Sequence, residues 1–487
     1  MSQHVNYPKL EMLIDGQWLD CTGRDSEPVI NPATGETIAQ LPHATQADLD
    51  RAVKSASAAL PLWRARALAE RVGILKRAGQ LIQERSGEIA RWLTMDTGKP
   101  LKEATGEVMA AGTTLEWYAE ESRRLYGRTI PGKNPEHILS VLLQPVGVCA
   151  AFSPWNFPAT LSARKIAGAI AAGCSLVIKP AEETPSAAIA VARALMDAGL
   201  PAGVLNVVFG APAEISDYLL SRDEIRKFSF TGSTAVGKIL AEKAARGLKK
   251  ATLELGGHAP TIICEDADLE SVVEALVQAK CRTAGQVCIA PTRVMVAEPL
   301  YEKFIAAIVP RMERVRVGDG LNPESEMGPL IGPRRANIMK ELVEDAQSKG
   351  ARVLCGGKAP DAQKRGYFWM PTVLADVPHE ARVMNEEPFG PIMLVQKYKT
   401  LDDAISEANR LPYGLAAYVF TQNSITRRRV VNEIESGAIG INSFYVSMNE
   451  APFGGIKESG YGVEMGSEGL REYLNIKLVS EDFLGLR

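Results

Sequence analysis

The chain has 487 residues, with 55 Lys and Arg against 58 Asp and Glu and a formal net charge of -3. It therefore carries no global positive field to hold nucleic acid, and it is long enough for at least two cores with clefts between them. MSQHVNYPKLEMLIDGQWLD lacks a basic stretch leading into an apolar one, and no window of about 18 uninterrupted apolar residues follows, so a cytoplasmic protein that contacts no membrane is expected. Seven cysteines with no C-x-x-C pair favour reduced thiols over a disulfide framework, and five histidines in no ligand spacing give metal catalysis no basis.

From Asp48 to about Glu120, apolar residues recur every three or four positions, as in DLDRAVKSASAAL and RVGILKRAGQLIQERSGEIARWL, which predicts a helical layer. Next, RTIPGKNPEHILSVLL reads as an excursion with a strand at its end. From Val146 the pattern changes to short β-rich runs (VGVCAAF, SLVIK, VLNVVF, KFSF) separated by amphipathic helices, which predicts βαβ units and a parallel sheet covered on both faces. A second α/β region begins near Ala259, with the Gly256-Gly257 pair as the junction. The dense basic run Arg427, Arg428, Arg429 reads as a solvated helix face.

Six short segments carry possible chemistry. In SPWNFP, Asn156 follows the first strand of the βαβ region, at the carboxyl edge where open α/β sheets bind ligands, and its amide can donate to an oxyanion. In IKPAEETP, Lys179 ends the next strand and Glu182 is placed to accept from ribose hydroxyls. FTGSTAVG closes a strand and opens a helix whose free N–H groups suit a diphosphate, with Gly232 and Gly237 letting it approach. Glu254 in LELGG suits a partly buried general base. Cys288 in GQVCIAP suits a nucleophile. NEEPFGP sets Glu387 before a Pro-bounded turn. Each has an ordinary structural reading too: a turn, a capped helix, a core cysteine or a strand-end ion pair.

Together with APFGGIKESGYG, these motifs occur in the order and spacing of the aldehyde dehydrogenase superfamily over nearly the whole chain, most resembling the succinate-semialdehyde dehydrogenase group and its relatives acting on glutarate and α-ketoglutarate semialdehydes. The resemblance implies an α/β fold with an open parallel-sheet NAD-binding domain (1–122 and 144–256), an α/β catalytic domain (257–442) and a small β oligomerisation arm (123–143 and 468–487), with 443–467 returning towards the cofactor domain. It implies a homodimer or homotetramer that takes NAD, with NADP possible. Cys288 would be the nucleophile, Glu254 the base and Asn156 the oxyanion donor. Trp155, Asn156, Lys179, Glu182, Gly232, Ser233, Leu255 and Glu387 match cofactor contacts, and Arg164, Arg282 and Ser447 match positions that bind a substrate carboxylate. The implied substrate is a semialdehyde of the succinate kind; the alternatives are glutarate or α-ketoglutarate semialdehyde, or aliphatic aldehydes broadly. Glu254 points to hydrolysis rather than acyl transfer to CoA. Two departures stand out. Ala290 replaces the second cysteine common in the group, and Cys281 and Thr283 flank Arg282 in place of an aromatic and an Asn, from which a wider or more polar pocket is expected.

Overall fold

The computed structural model describes residues 7–361 and 365–483, so the outermost parts of the expected first and last segments, 1–6 and 484–487, lie outside it. Every residue of the strand Val148–Phe152 is buried, because it runs through the middle of an eight-stranded sheet with both faces covered, the setting that selects unbroken apolar runs. Across this sheet the order is Gln17–Leu19, Met12–Ile14, Leu205–Val207, Ser175–Lys179, Val148–Phe152, Ile225–Thr231, Lys250–Glu254 and Gly460–Tyr461. The strands from Leu205–Val207 to Lys250–Glu254 are parallel, and the N-terminal hairpin and Gly460–Tyr461 add antiparallel edges. The chain moves from Val148–Phe152 to one side and later returns to its other side at Ile225–Thr231. That reversal opens a crevice at the carboxyl ends of these two strands.

The helical layer comprises Gln46–Ala65, Leu68–Glu84, Ser86–Thr97 and Leu101–Ser122. The first begins at a capping box: Thr45 accepts from the Asp48 N–H, and Asp48 accepts from the Thr45 N–H at 2.9 Å. The helix Pro158–Ala172 buries every residue but Thr160. It packs against Leu101–Ser122 on one side and the sheet on the other, so LSARKIAGAIAA has no polar face for a periodicity to reveal.

A second, seven-stranded sheet runs Arg352–Cys355, Thr372–Ala375, Ile392–Tyr398, Arg293–Ala297, Pro260–Ile263, Ala416–Phe420, Ala438–Ile441. All its pairings are parallel except the first. Glu254 ends a strand of one sheet and Pro260 begins a strand of the other, with Gly256 and Gly257 between them. The junction is clamped by Ser459, whose hydroxyl donates to the Gly256 carbonyl at 2.7 Å and whose carbonyl accepts from the Leu255 N–H at 3.0 Å.

The excursion holds two strands where one was expected. Arg128–Pro131 and His137–Pro145 form a hairpin, and Leu474–Asp482 pairs with the second along its whole length. Arg128–Pro131 is a short edge strand ending in proline, which leaves no alternation to read. Among the described residues no helix is long and apolar enough to cross a membrane.

Candidate active site

A cavity of about 660 Å³ occupies the crevice. Trp155, Asn156, Glu182, Gly232, Ser233, Glu254 and Leu255 line it from the carboxyl ends of the first sheet, together with Cys288 and Glu387. Lys179 is not on this wall. It is buried beneath Glu182, and its amine is paired with that carboxylate. Ser233 caps the helix Thr234–Ala245, accepting from the Val236 N–H, so the helix N-terminus opens on the cavity. The reading of Gly237 is corrected: a Cβ there would lie 2.4 Å from Leu255 Cδ2, so its lack of a side chain serves helix-to-strand packing rather than the approach of a diphosphate. Gly232 likewise lies tight against the Phe230 ring, 2.4 Å from a Cβ to Cζ.

Cys288 follows a turn in which Thr283, Ala284 and Gly285 all have left-handed backbones, φ 49°, 53° and 69°. For the two residues with side chains this costs roughly 1–2 kcal/mol each, so neighbours must hold it. Glu103 accepts from the Thr283 N–H at 2.9 Å, the Gln286 amide donates to the Thr283 carbonyl at 2.9 Å, and the Ile331 N–H donates to Gln286 Oε1 at 2.9 Å. Asn156 Nδ2 donates to the Gln286 carbonyl at 3.0 Å. That bond turns the Asn156 amide toward the nucleophile's loop, and the second hydrogen of the amide makes no bond among the described residues.

The Cys288 thiol is pushed up to about 12 by burial and by the Glu387 and Glu254 carboxylates, with Arg164 opposing them. It is therefore a thiol, not a thiolate, at neutral pH. Glu254 is 3% exposed and neither of its oxygens has a hydrogen-bond partner. Burial and the nearby Glu464 charge hold its carboxyl far above the usual range. Glu387 is pushed by burial up to about 7, against the pull of the Gly257 N–H, Arg335 and Lys280. Its Oε1 has no partner. A Cβ on Gly256 would come within 2.4 Å of its Oε2.

Of the three expected carboxylate contacts, the structure joins two: Arg164 Nη2 donates to Ser447 Oγ at 2.7 Å. Arg282 bonds to neither; it is exposed, its guanidinium 4.7 Å from the Phe157 ring centre. Both arginines still act near the nucleophile, Arg164 on Cys288 and Arg282 on Tyr418, which donates to the Ile289 carbonyl at 2.7 Å. The wider pocket expected from Cys281 and Thr283 has no support in their placement. Cys281 is in the core of the second sheet, and Thr283 is buried against Glu103.

Residues 18–479 match the aldehyde dehydrogenase family. The chain is 43% identical to an Escherichia coli succinate-semialdehyde dehydrogenase that uses NADP+, covering 97% of this chain and 98% of that protein. It is 45% identical to a 4-(hydroxymethyl)benzenesulfonate dehydrogenase of Comamonas testosteroni, with 98% of each covered. A crystal structure of an E. coli NADP-dependent enzyme superposes with a TM-score of 0.96 at 42% identity, covering 99% of this chain and 100% of that one. The chain belongs to the aldehyde dehydrogenase family.

It is an NAD(P)-dependent enzyme, and the cleft of this aldehyde dehydrogenase fits such a cofactor. A helix N-terminus suits a diphosphate, and the orphaned Glu387 oxygen suits a ribose hydroxyl. Sequence reading missed the ion pair behind Glu254. Lys165, fully buried, is bonded to Glu464, Ser229 and Thr231. Two adjacent cations, Arg164 and Lys165, inside an otherwise apolar helix were the available signal. Glu103 was missed as well, and nothing in its local pattern marks it.

Proposed function

We propose that this aldehyde dehydrogenase oxidises an aldehyde carrying a carboxylate at its far end, of the succinate semialdehyde kind, to the dicarboxylic acid through a thioester on Cys288. The observation that carries the substrate assignment is Arg164. It is 8% exposed, its Nε has no partner, and among the described residues no carboxylate lies within ion-pair distance of it. Its one side-chain hydrogen bond is to Ser447, and its guanidinium lies 5.5 Å from the Phe453 ring centre. Glu464 and Glu254 feel its charge without pairing with it directly, and a substrate carboxylate would satisfy the unpaired buried guanidinium through charge-assisted bonds worth about 1.5–3 kcal/mol each. The names of the two relatives, a succinate semialdehyde enzyme and a benzenesulfonate enzyme, both include an anionic group away from the reacting carbon.

In the reaction, Cys288 attacks the carbonyl carbon. The thiol, held at about 12, gives up its proton to solvent in the cleft as the carbon–sulfur bond forms, and Glu254, with both oxygens free, is left for the water step. The uncommitted Asn156 N–H and the Cys288 backbone N–H stabilise the oxyanion. NAD bound in the cleft supplies the hydride acceptor, with Trp155, Gly232, Ser233, Leu255 and Glu387 as its contacts. Glu254, in its carboxylate form, takes a proton from the water that cleaves the thioester. NAD is preferred over NADP, because Glu182 lines the cleft and Lys179 is already neutralised by it, leaving a 2′-phosphate to meet a carboxylate.

On this reading the first sheet with its helices is the cofactor domain, the second the catalytic domain and the three-stranded sheet an assembly arm. Exposed Ile476 and Leu478 on its outer strand support a homo-oligomer, working in the cytoplasm. Arg164→Leu tests the substrate assignment. KM for succinate semialdehyde should rise at least about tenfold, the effect of losing one charge-assisted bond, while KM for butanal stays near wild type. An equal rise for both aldehydes would contradict the assignment and leave the aldehyde dehydrogenase activity standing.

A further inference from the structure

Three charged residues cluster at the start of the Leu101–Ser122 helix: Lys99 lies just ahead of its N-cap, and Glu103 and Glu107, four positions apart, lie along one face of it. None of them lines the cavity, yet each bonds to backbone that carries the active site. Lys99 Nζ donates to the Asn156 carbonyl at 2.7 Å and to Glu107 at 2.5 Å, and lies 4.2 Å from the Phe157 ring centre. Glu107 Oε1 accepts from the Ala159 N–H at 2.9 Å and so caps the helix that carries Arg164. Glu103 Oε2 accepts from the Thr283 N–H at 2.9 Å and from Thr283 Oγ1 at 3.3 Å.

These contacts tie together two loops that come from different sheets. Asn156 extends from the first sheet, and the left-handed turn before Cys288 leads into the second. A turn with two side-chain-bearing residues in left-handed conformation persists only where its surroundings impose it, and Glu103 supplies the bond to its first N–H. We propose that Glu103 is a positioning residue, which holds the Thr283–Gly285 turn so that the Cys288 sulfur and the Asn156 amide meet the same carbonyl group, with Lys99 and Glu107 fixing the Asn156 side of that alignment. Thioester chemistry is sensitive to such alignment, because a misplacement of about 1 Å can cost a hundredfold in rate. The inference rests on the proposed roles of Cys288 and Asn156.

The test measures the burst of NADH on mixing enzyme, NAD and succinate semialdehyde, together with equilibrium NAD binding by fluorescence. Glu103→Ala should slow the burst about 10- to 100-fold with NAD affinity unchanged. Glu103→Gln, whose amide oxygen still accepts from the Thr283 N–H, should recover most of the rate. In an Asn156→Ala background Glu103→Ala should cost less than about threefold, since the alignment it maintains has lost its purpose. Equal losses from Glu103→Ala with and without Asn156 would overturn the proposal. So would a Gln variant as slow as the Ala variant, or an Ala variant that no longer binds NAD, which would make Glu103 a residue of the fold alone. If Cys288→Ala itself kept aldehyde oxidation, the failure would lie in the underlying mechanism instead.

Discussion

At the scale of single residues, the chemistry depends on groups held in states they would not adopt in water. Cys288→Ala should abolish aldehyde oxidation and leave NAD binding near normal, because it removes the nucleophile and leaves the rest of the cleft lining in place; turnover in that variant would refute covalent catalysis. With its thiol held at about 12, Cys288 in the free enzyme should be alkylated by iodoacetamide at a rate that keeps rising through about pH 9, since the thiolate is the reacting form. A plateau near neutral pH would show the thiol to be activated before substrate arrives. Glu387, held near 7, is a neutral acid below that pH and a carboxylate above it, so NAD binding should strengthen as pH rises through about 7. Calorimetric titrations on either side of that pH would check the sign. That Cys288, Glu254 and Asn156 share one cleft was legible because their motifs stand out at strand ends and glycine turns. The Lys165–Glu464 pair and Glu103 were not, because their partners are 299 and 180 residues away in the chain, and no local pattern encodes such contacts.

At the scale of elements, glycines decide how closely loops approach. Gly256 faces Glu387, and a Cβ there would come within 2.4 Å of its carboxylate oxygen. Gly256→Ala should therefore displace Glu387 and raise KM for NAD several-fold, with a smaller effect on the melting temperature than Gly285→Ala. At Gly285 a Cβ would meet the Gly390 carbonyl at 2.2 Å on a left-handed backbone that disfavours any side chain. Thermal melts and NAD titrations of the two variants separate these effects. The βαβ alternation was readable because parallel strands buried on both faces are continuous apolar runs. The first strand of the excursion was not, since four residues ending in Pro131 carry no period. Gly237 was given the wrong reason, because a glycine needed for packing and one needed for a ligand look alike until the neighbouring Leu255 is placed.

At the scale of the whole molecule, the crevice brings the proposed cofactor contacts to the proposed nucleophile, and on that reading its charge selects the cofactor. Glu182→Ser should shift kcat/KM toward NADP by at least tenfold, by removing the carboxylate and freeing Lys179 to meet a 2′-phosphate; unchanged selectivity would place the discrimination elsewhere. Replacing exposed Ile476 and Leu478 with Lys should weaken assembly, which sedimentation would detect as a smaller species. The family and fold were legible from seven motifs in register, and so was the meeting of Arg164 with Ser447, 283 residues away, whereas the contact of Arg164 with Phe453 was not, because no local pattern encodes it. The most direct test of the proposed chemistry uses Glu254→Gln, in which hydrolysis of the acyl enzyme should stall. After mixing with NAD and succinate semialdehyde and quenching in acid, mass spectrometry of the digested protein should find a succinyl group on the Cys288 peptide, formed together with one equivalent of NADH. NADH formed without that adduct, or an adduct on another residue, would contradict a thioester at Cys288.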